Sequence, residues 1–222
     1  MKNRYLTGVA LAAMSLFSVQ VAGAQDVYVN VFAGASLPGD LTFDEITPFF
    51  PVHDIISLNT GYVFGGAVGV GITDAMRAEI ELSHAQWKSA DSFYSSGEGG
   101  HHLPADGSVN ATYVMANGWF DLKNDSAFTP YIGGGVGAAW LNGDVGFFGQ
   151  DNGFGPSNRA ALAYQLGAGV KFDVNEKVAL DVAYRYKSIV GGKNDNLNAT
   201  YSGFENADLN THNIQVGLTY KF

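Results

Sequence analysis

The sequence predicts an all-β fold, an eight-stranded antiparallel up-and-down transmembrane β-barrel. Three observations carry this prediction. Apolar residues alternate with small or polar ones in eight segments, each long enough to cross a bilayer as a tilted strand. The segments are joined alternately by tight turns and by long connections. The chain of 222 residues contains 29 glycines, an excess that suits the crowded interior of a narrow barrel.

The eight predicted strands share a period of two, in which one face is apolar and the other is small or polar. They cover about 26–36, 60–72, 77–87, 109–122, 128–141, 160–173, 178–188 and 211–222. In the third strand, Ala78, Ile80 and Leu82 share one face while Glu79 and Glu81 share the other. After the N-terminal segment no run of 18 apolar residues follows, so no transmembrane helix is expected.

The connections alternate in length. Three are tight turns, at 73–76, 123–127 and 174–177, and the other four are about 18 to 23 residues long. Loops of that length are uncommon in compact soluble domains. Short periplasmic turns at one end and long extracellular loops at the other are typical of an outer-membrane barrel.

The polarity of the two strand faces decides between a soluble barrel and a membrane barrel. The faces opposite the apolar ones are rich in glycine and poor in charge, which suits a narrow lumen better than a water-exposed surface. The apolar faces carry aromatic side chains near both strand ends, as the two interfaces of a bilayer select. These aromatics are Phe120, Phe128, Phe172, Tyr220 and Phe222 near the short turns, and Tyr62, Trp140, Tyr164 and Tyr186 near the long loops. The sequence therefore predicts apolar side chains facing lipid.

The N-terminal segment has the features of a secretory signal peptide. Lys2 and Arg4 precede an apolar stretch at 6–17, and Ala22 and Ala24 flank a small-residue cleavage site. We expect residues 1–24 to be removed and residues 25–222 to form the barrel.

Ten charged residues are predicted to face the lumen, five of each sign. They are Arg77, Glu79, Glu81, Asp121, Lys171, Asp173, Asp181, Arg185, Lys187 and Lys221. A narrow interior cannot hold unpaired charge cheaply, so mutual pairing is expected. Such pairs can serve packing and stability alone, or they can line a narrow, gated water path.

Four segments carry a family resemblance. They are GVGITDAMRAEIELSH (69–84), TPYIGGGVGAAW (129–140), YQLGAGVKFDVNEKVALDVAYRYK (164–187) and NIQVGLTYKF (213–222). They resemble the eight-stranded outer-membrane β-barrels of Gram-negative bacteria, the family of the OmpA transmembrane domain, OmpX and the opacity-type or 25-kDa surface proteins of alphaproteobacteria. The resemblance covers the whole mature chain and implies a porin-like protein or surface antigen of the bacterial outer membrane.

The C-terminal residues are similar to the signal that the barrel-assembly machinery reads in this family. The alternating residues are Ile214, Val216, Leu218, Tyr220 and the terminal Phe222. The resemblance therefore implies that this machinery and periplasmic chaperones are partners during biogenesis. The sequence departs from OmpA in that nothing follows Phe222, so the periplasmic peptidoglycan-binding domain is expected to be absent.

Composition and charge exclude cysteine chemistry and limit the classes of partner. The chain has no cysteine, which excludes disulfides and thiolate chemistry, and a net charge of −9 argues against nucleic acid. The long loops hold most of the acidic residues: Asp40, Asp44, Glu45, Asp54, Asp91, Glu98, Asp106, Asp144, Asp151, Asp195, Glu205 and Asp208. The expected surroundings are outer-membrane lipid and lipopolysaccharide, bridged by divalent cations. The alternative is a basic extracellular partner bound by the acidic loops.

The sequence contains no recognisable catalytic or metal-binding arrangement. Ser83 and His84 are neighbours on a strand and must point to opposite faces, and His212 is expected at the rim. His101 and His102 fall in a predicted loop without further ligands. We therefore expect no cofactor, no metal and no catalysis, and a structural or surface-interaction role in envelope integrity, adhesion or antigenicity. The alternatives are a narrow porin-like channel and a lipid A-modifying enzyme.

Overall fold

A computed structural model of the chain describes residues 25–46, 51–96, 99–147, 160–194 and 204–222. Residues 1–24, including Ala22 and Ala24, lie outside the described residues, so the signal peptide stays a prediction. Within the described ranges, no helix is long and apolar enough to cross a bilayer.

Within the described residues, ten strands form one antiparallel sheet. They are β1 (Gln25–Pro38), β2 (Leu41–Ile46), β3 (Pro51–Leu58), β4 (Gly61–Thr73), β5 (Met76–Ser96), β6 (Gly99–Asp121), β7 (Phe128–Phe147), β8 (Ala161–Asp173), β9 (Val178–Asn194) and β10 (Phe204–Lys221). β1 and β2 both pair with β10, so together they occupy one position in the wall. β3 and β4 both pair with β5 and likewise share one position. The ten strands therefore build the wall of an eight-stranded barrel.

Pairing between β1 and β10 closes the barrel. Residue pairs can be followed around the wall from Met76 in β5 through all eight strands, and the path returns to β5 at Gln86, ten residues further on. A stagger of ten residues over eight strands gives a strand tilt of about 40°. The predicted eight-stranded antiparallel barrel is confirmed.

The long connections contain more strand than the alternation alone predicts. β5 has 21 residues and β6 has 23, and the two remain paired up to Ser96 and Gly99. The first long connection contains the β2–β3 hairpin. The wall therefore continues as paired β-structure well above the predicted spans.

The inside-out polarity of the wall is confirmed. Outward apolar side chains are open to the surroundings, with Ile80 60% and Val136 62% exposed, whereas inward polar side chains are covered, with Gln165 only 1% exposed. The aromatic residues predicted at the short-turn end are all exposed on the outer face. The same holds for the five alternating C-terminal residues, Ile214, Val216, Leu218, Tyr220 and Phe222.

Inward-facing glycines make room for large side chains from neighbouring strands. Gly69 lies beneath the Tyr28 ring, and Gly169 lies beneath the Tyr131 ring, where an added Cβ would be 2.5 Å from the hydroxyl oxygen. Because the lumen of an eight-stranded barrel is only just wide enough to be filled by side chains, glycine at these two positions leaves the space that the tyrosine rings occupy. The glycine-rich faces predicted from sequence serve this packing.

We expect Gly133→Ala to destabilise the barrel. The added Cβ would overlap the carbonyl oxygen of Gly118 and lie 2.6 Å from Trp119 Cε3. Overpacking of this kind costs about 1–3 kcal/mol of the free energy of unfolding. Gly118→Ala is the matched control, since its Cβ would meet nothing within 4 Å. Urea unfolding in phospholipid vesicles measures both variants, and equal stability of the two contradicts the packing role.

Candidate functional site

The part of the lumen next to the short turns holds a hydrogen-bonded cluster. This lower network consists of Tyr28, Arg77, Glu79, Trp119, Asp121 and Lys171. Glu79 accepts hydrogen bonds from the Tyr28 hydroxyl and from Trp119 Nε1, both at 2.6 Å. Arg77 bridges two carboxylates, because its Nη1 lies 3.2 Å from Glu79 and its Nε 2.9 Å from Asp121. Lys171 Nζ completes the network at 2.9 Å from Asp121.

A second cluster lies higher in the lumen and is centred on one buried carboxylate. This upper network consists of Glu81, Ser83, Asn117, Gln165 and Lys187. Glu81 is 3% exposed and accepts from Lys187 Nζ at 2.6 Å, Ser83 Oγ at 2.8 Å, Gln165 Nε2 at 2.9 Å and Asn117 Nδ2 at 3.0 Å. Lys187 Nζ also donates to Ser83 Oγ at 2.7 Å. Burying a charge costs several kcal/mol, which direct pairing and this complete set of donors offset.

Aromatic side chains connect the remaining interior charges. Tyr131 donates a short hydrogen bond to Asp181 and accepts one from Arg185 Nη2 at 3.3 Å. The Arg185 guanidinium also lies 3.7 Å from the centre of the Trp119 ring. A desolvated guanidinium over an indole face is worth about 2 kcal/mol, so the ring helps to hold this buried charge.

The structure distributes the ten predicted lumen charges over four positions. Arg77, Glu79, Asp121 and Lys171 belong to the lower network, Glu81 and Lys187 to the upper network, and Asp181 and Arg185 meet at Tyr131. Asp173 and Lys221 pair at 2.6 Å but remain 42% and 33% exposed at the short-turn mouth. The charges thus pair with their neighbours instead of lining a common surface.

Sequence reasoning missed the neutral donors that surround the carboxylates. Tyr28, Asn117 and Gln165 fall on the inner faces by the period of two, but nothing in their spacing showed which carboxylate each would meet. Gln165 reaches Glu81 across 84 positions of sequence. Only the closed barrel brings such residues together.

Above the upper network the lumen is filled by a mostly apolar cluster, named here the apolar plug. Its buried members are Leu41, Val63, Ala85, Trp87, Val109, Ala111, Tyr113, Met115, Ala139, Ala161, Ala163, Ile189 and Leu209. Each is at most 7% exposed, and the Trp87 indole donates to Ser36 Oγ at 3.0 Å. The interior is therefore ion-paired below and apolar above.

Two histidines lie on the outer face near the long-loop end. His84 Nδ1 lies 3.0 Å from Thr112 Oγ1, and His212 Nδ1 lies 2.6 Å from the Tyr184 hydroxyl. Ser83 points into the lumen, so it does not face its neighbour His84. Among the described residues, no three His, Asp or Glu side chains are grouped closely enough to hold a metal ion.

The prediction that His101 and His102 lie in a loop is wrong. Their backbone belongs to β6 and pairs with Tyr94 and Phe93 of β5. The alternation is weak in this segment, so sequence did not show that the strand continues. The side chains of both histidines lie outside the described residues.

Comparisons with known proteins agree with this architecture. The family model described as outer membrane protein beta-barrel domain matches residues 9–222. A protein named as a candidate adhesin of Rickettsia bellii is 29% identical over 179 residues, covering 74% of this chain and 78% of that relative. The outer membrane protein PagN of Salmonella typhimurium is 28% identical over 93% of this chain and 94% of its own. The crystal structure of Neisserial surface protein A matches with a TM-score of 0.57 and 18% identity, covering 90% of this chain and 99% of that one.

A closed barrel with an apolar exterior and an ion-paired interior defines a class, the integral β-barrel proteins of the bacterial outer membrane. The family model covers nearly the entire chain. The protein therefore belongs to the outer membrane protein β-barrel family and resides in the bacterial outer membrane.

We expect Lys187→Met to destabilise the barrel strongly. The substitution removes the 2.6 Å ion pair and leaves Glu81 buried without its cation, at a cost of about 3–5 kcal/mol. Lys221→Met is the matched control, since its pair with Asp173 is exposed and contributes less than about 1 kcal/mol. Urea unfolding in vesicles checks the difference, and equal midpoints contradict the importance of the upper network.

We also expect the purified protein to show no discrete conductance in planar bilayers. Within the described residues, the buried side chains of the apolar plug and of the two networks occupy the lumen at successive heights, so we expect them to block hydrated ions. A porin of known conductance, reconstituted in parallel, controls for insertion. Stepwise currents that scale with protein concentration would show that the plug opens.

Proposed function

We propose that the protein is a non-catalytic surface-interaction protein of the outer membrane, in which a sealed barrel supports extracellular β-structure. The observation that carries the proposal is the continuation of the wall above the lipid-facing band. Ser96 lies 20 residues above Met76 on β5, which places it about 50 Å higher along the barrel axis, roughly twice the height of the apolar band.

The interior supports a structural role better than a catalytic one. Lys187, Ser83 and Glu81 form the group most like a nucleophile with its base, but all three are at most 3% exposed beneath the apolar plug. A nucleophile must be reachable by its substrate. The fold alone does not decide the matter, because one fold serves many functions.

The names of the relatives also favour a surface-interaction role over a catalytic one. One relative is named as a candidate adhesin and another as an outer membrane protein. The proposed partner is an extracellular molecule that contacts the extended hairpins. The acidic residues predicted in this region favour a basic partner surface, whose attraction weakens as salt is added.

The proposal is tested by shortening the β5–β6 hairpin. Residues 89–107 are replaced by an Asn-Gly turn that joins Lys88 to Ser108, which are paired across the hairpin. Bacteria that express the intact protein should attach to cultured epithelial cells or immobilised matrix proteins more than vector controls. The shortened variant should lose most of this gain, and attachment should fall as salt is raised.

Two controls separate loss of binding from loss of folding. Heat-modifiable mobility on gels shows whether the shortened barrel still forms, and surface labelling shows that it reaches the cell exterior. Equal attachment of cells with intact, shortened and no protein contradicts the surface-interaction role.

A further inference from the structure

Two columns of polar side chains face outward from the barrel across the upper edge of the apolar band. The β5 column consists of His84, Gln86 and Lys88, and the β10 column consists of His212, Asn210 and Asp208. Each column starts with a histidine, continues with an amide and ends with a charge, but the two charges have opposite signs. The columns lie three strands apart around the wall.

The barrel geometry places the two columns at the same height. With a tilt of about 40°, each residue along a strand rises about 2.5 Å and each step to the next strand rises about 3 Å. By this measure both histidines lie roughly 20 Å above Met76, and Lys88 and Asp208 lie roughly 30 Å above it. An apolar band of about 25 Å ends between these levels, so both columns reach the headgroups of the outer leaflet.

The β5 column presents hydrogen-bond donors and positive charge. Gln86 accepts a short hydrogen bond from the Tyr62 hydroxyl, so its carbonyl oxygen is engaged and its amide N–H groups are left to donate. His84 uses Nδ1 toward Thr112 at 3.0 Å, which leaves Nε2 for another partner. Lys88 is exposed at the top of the column.

Below the β5 column the wall offers a surface for acyl chains. Leu82 and Ile80 continue the same outward line at 50% and 60% exposure, and Phe64 stands beside His84 with its ring centre 5.6 Å away. Polar donors therefore sit directly above an open apolar strip, which is the arrangement that a membrane lipid with an anionic headgroup requires.

The β10 column lacks this complementarity to an anion. His212 is held between Tyr184 and Tyr186, with the Tyr186 ring centre 5.3 Å from its own. Asn210 accepts from the Tyr186 hydroxyl at 3.0 Å, and the exposed Asp208 carboxylate accepts from the Gly191 N–H at 2.8 Å. The carboxylate at the level of Lys88 repels a phosphate.

We propose that the β5 column is a binding site for the phosphorylated glucosamine headgroup of lipid A. Lys88 and the donors of His84 and Gln86 contact the phosphate, and the acyl chains lie along Leu82 and Ile80. The β10 column at the same height does not bind it. This site is on the lipid-facing wall, so it is independent of the extracellular role proposed above.

The test is native mass spectrometry of the mature protein in detergent, titrated with bis-phosphorylated lipid A. The double variant His84→Gln/Lys88→Gln should retain about five-fold less lipid A than the wild type, the effect of losing one exposed charge contact and the imidazole donor beside it. The matched control His212→Gln/Asp208→Asn should retain as much as the wild type. Lys88→Gln alone alters only an exposed side chain and should show part of the loss.

Two further lipids distinguish the source of the phosphate. Lipid A stripped of phosphate should bind the wild type and the β5 double variant equally weakly, and phosphatidylglycerol should not compete with lipid A. Heat-modifiable mobility verifies that each variant is folded. Undiminished lipid A retention by folded β5 variants overturns the site, as does an equal loss in the β10 control. If the wild type binds dephosphorylated lipid A as tightly as bis-phosphorylated lipid A, or if phosphatidylglycerol competes effectively, the specificity of the site is overturned.

Discussion

The structure depends on one constraint, that every backbone amide within the bilayer must have a hydrogen-bond partner inside the protein. A sheet satisfies this only when its two edge strands pair with each other, and β1 and β10 do so from Tyr28 to Pro38. Closure with a ten-residue stagger then fixes the diameter and the tilt. The narrow bore in turn requires glycine at positions where an aromatic ring lies against the wall, as at Gly169 beneath Tyr131.

Closure of the barrel also determines which hydrogen-bond donors surround the buried charges. A lumen that is too narrow for bulk water leaves buried carboxylates to be solvated by the protein itself, so Glu81 is surrounded by four donors. The chain positions of those donors run from Ser83 to Lys187, which means that they meet only in the closed barrel. The networks therefore link correct closure to stability, because a wall that closes in the wrong register leaves the carboxylates without partners.

The period of two was sufficient to predict the barrel but not the arrangement of its interior. Alternation assigns each residue to a face, and it placed Arg77 and Asp181 in the lumen on that basis alone. It carries no information on which strands are staggered against each other, so the meeting of Gln165 with Glu81 could not be predicted. Alternation also fades above the membrane, where neither face is buried in lipid, and the continuation of β6 through His101 and His102 was missed for that reason.

The ion-paired lumen, the apolar band outside it and the wall above the lipid place different demands on the amino-acid sequence. The zone with the fewest demands is the one in which residues can serve recognition. Where the lumen holds the lower and upper networks, its buried charges must be paired, and the band outside it must be apolar, so both are constrained by folding. From the headgroups of the outer leaflet upward the outer face of the wall is freed from both demands, since water can reach its side chains while the backbone pairs within the wall. The outward face at that level can therefore vary in charge, as Lys88 and Asp208 show at equal heights. We therefore expect recognition by this barrel to depend on its outward side chains at and above the headgroup level, and not on its buried interior.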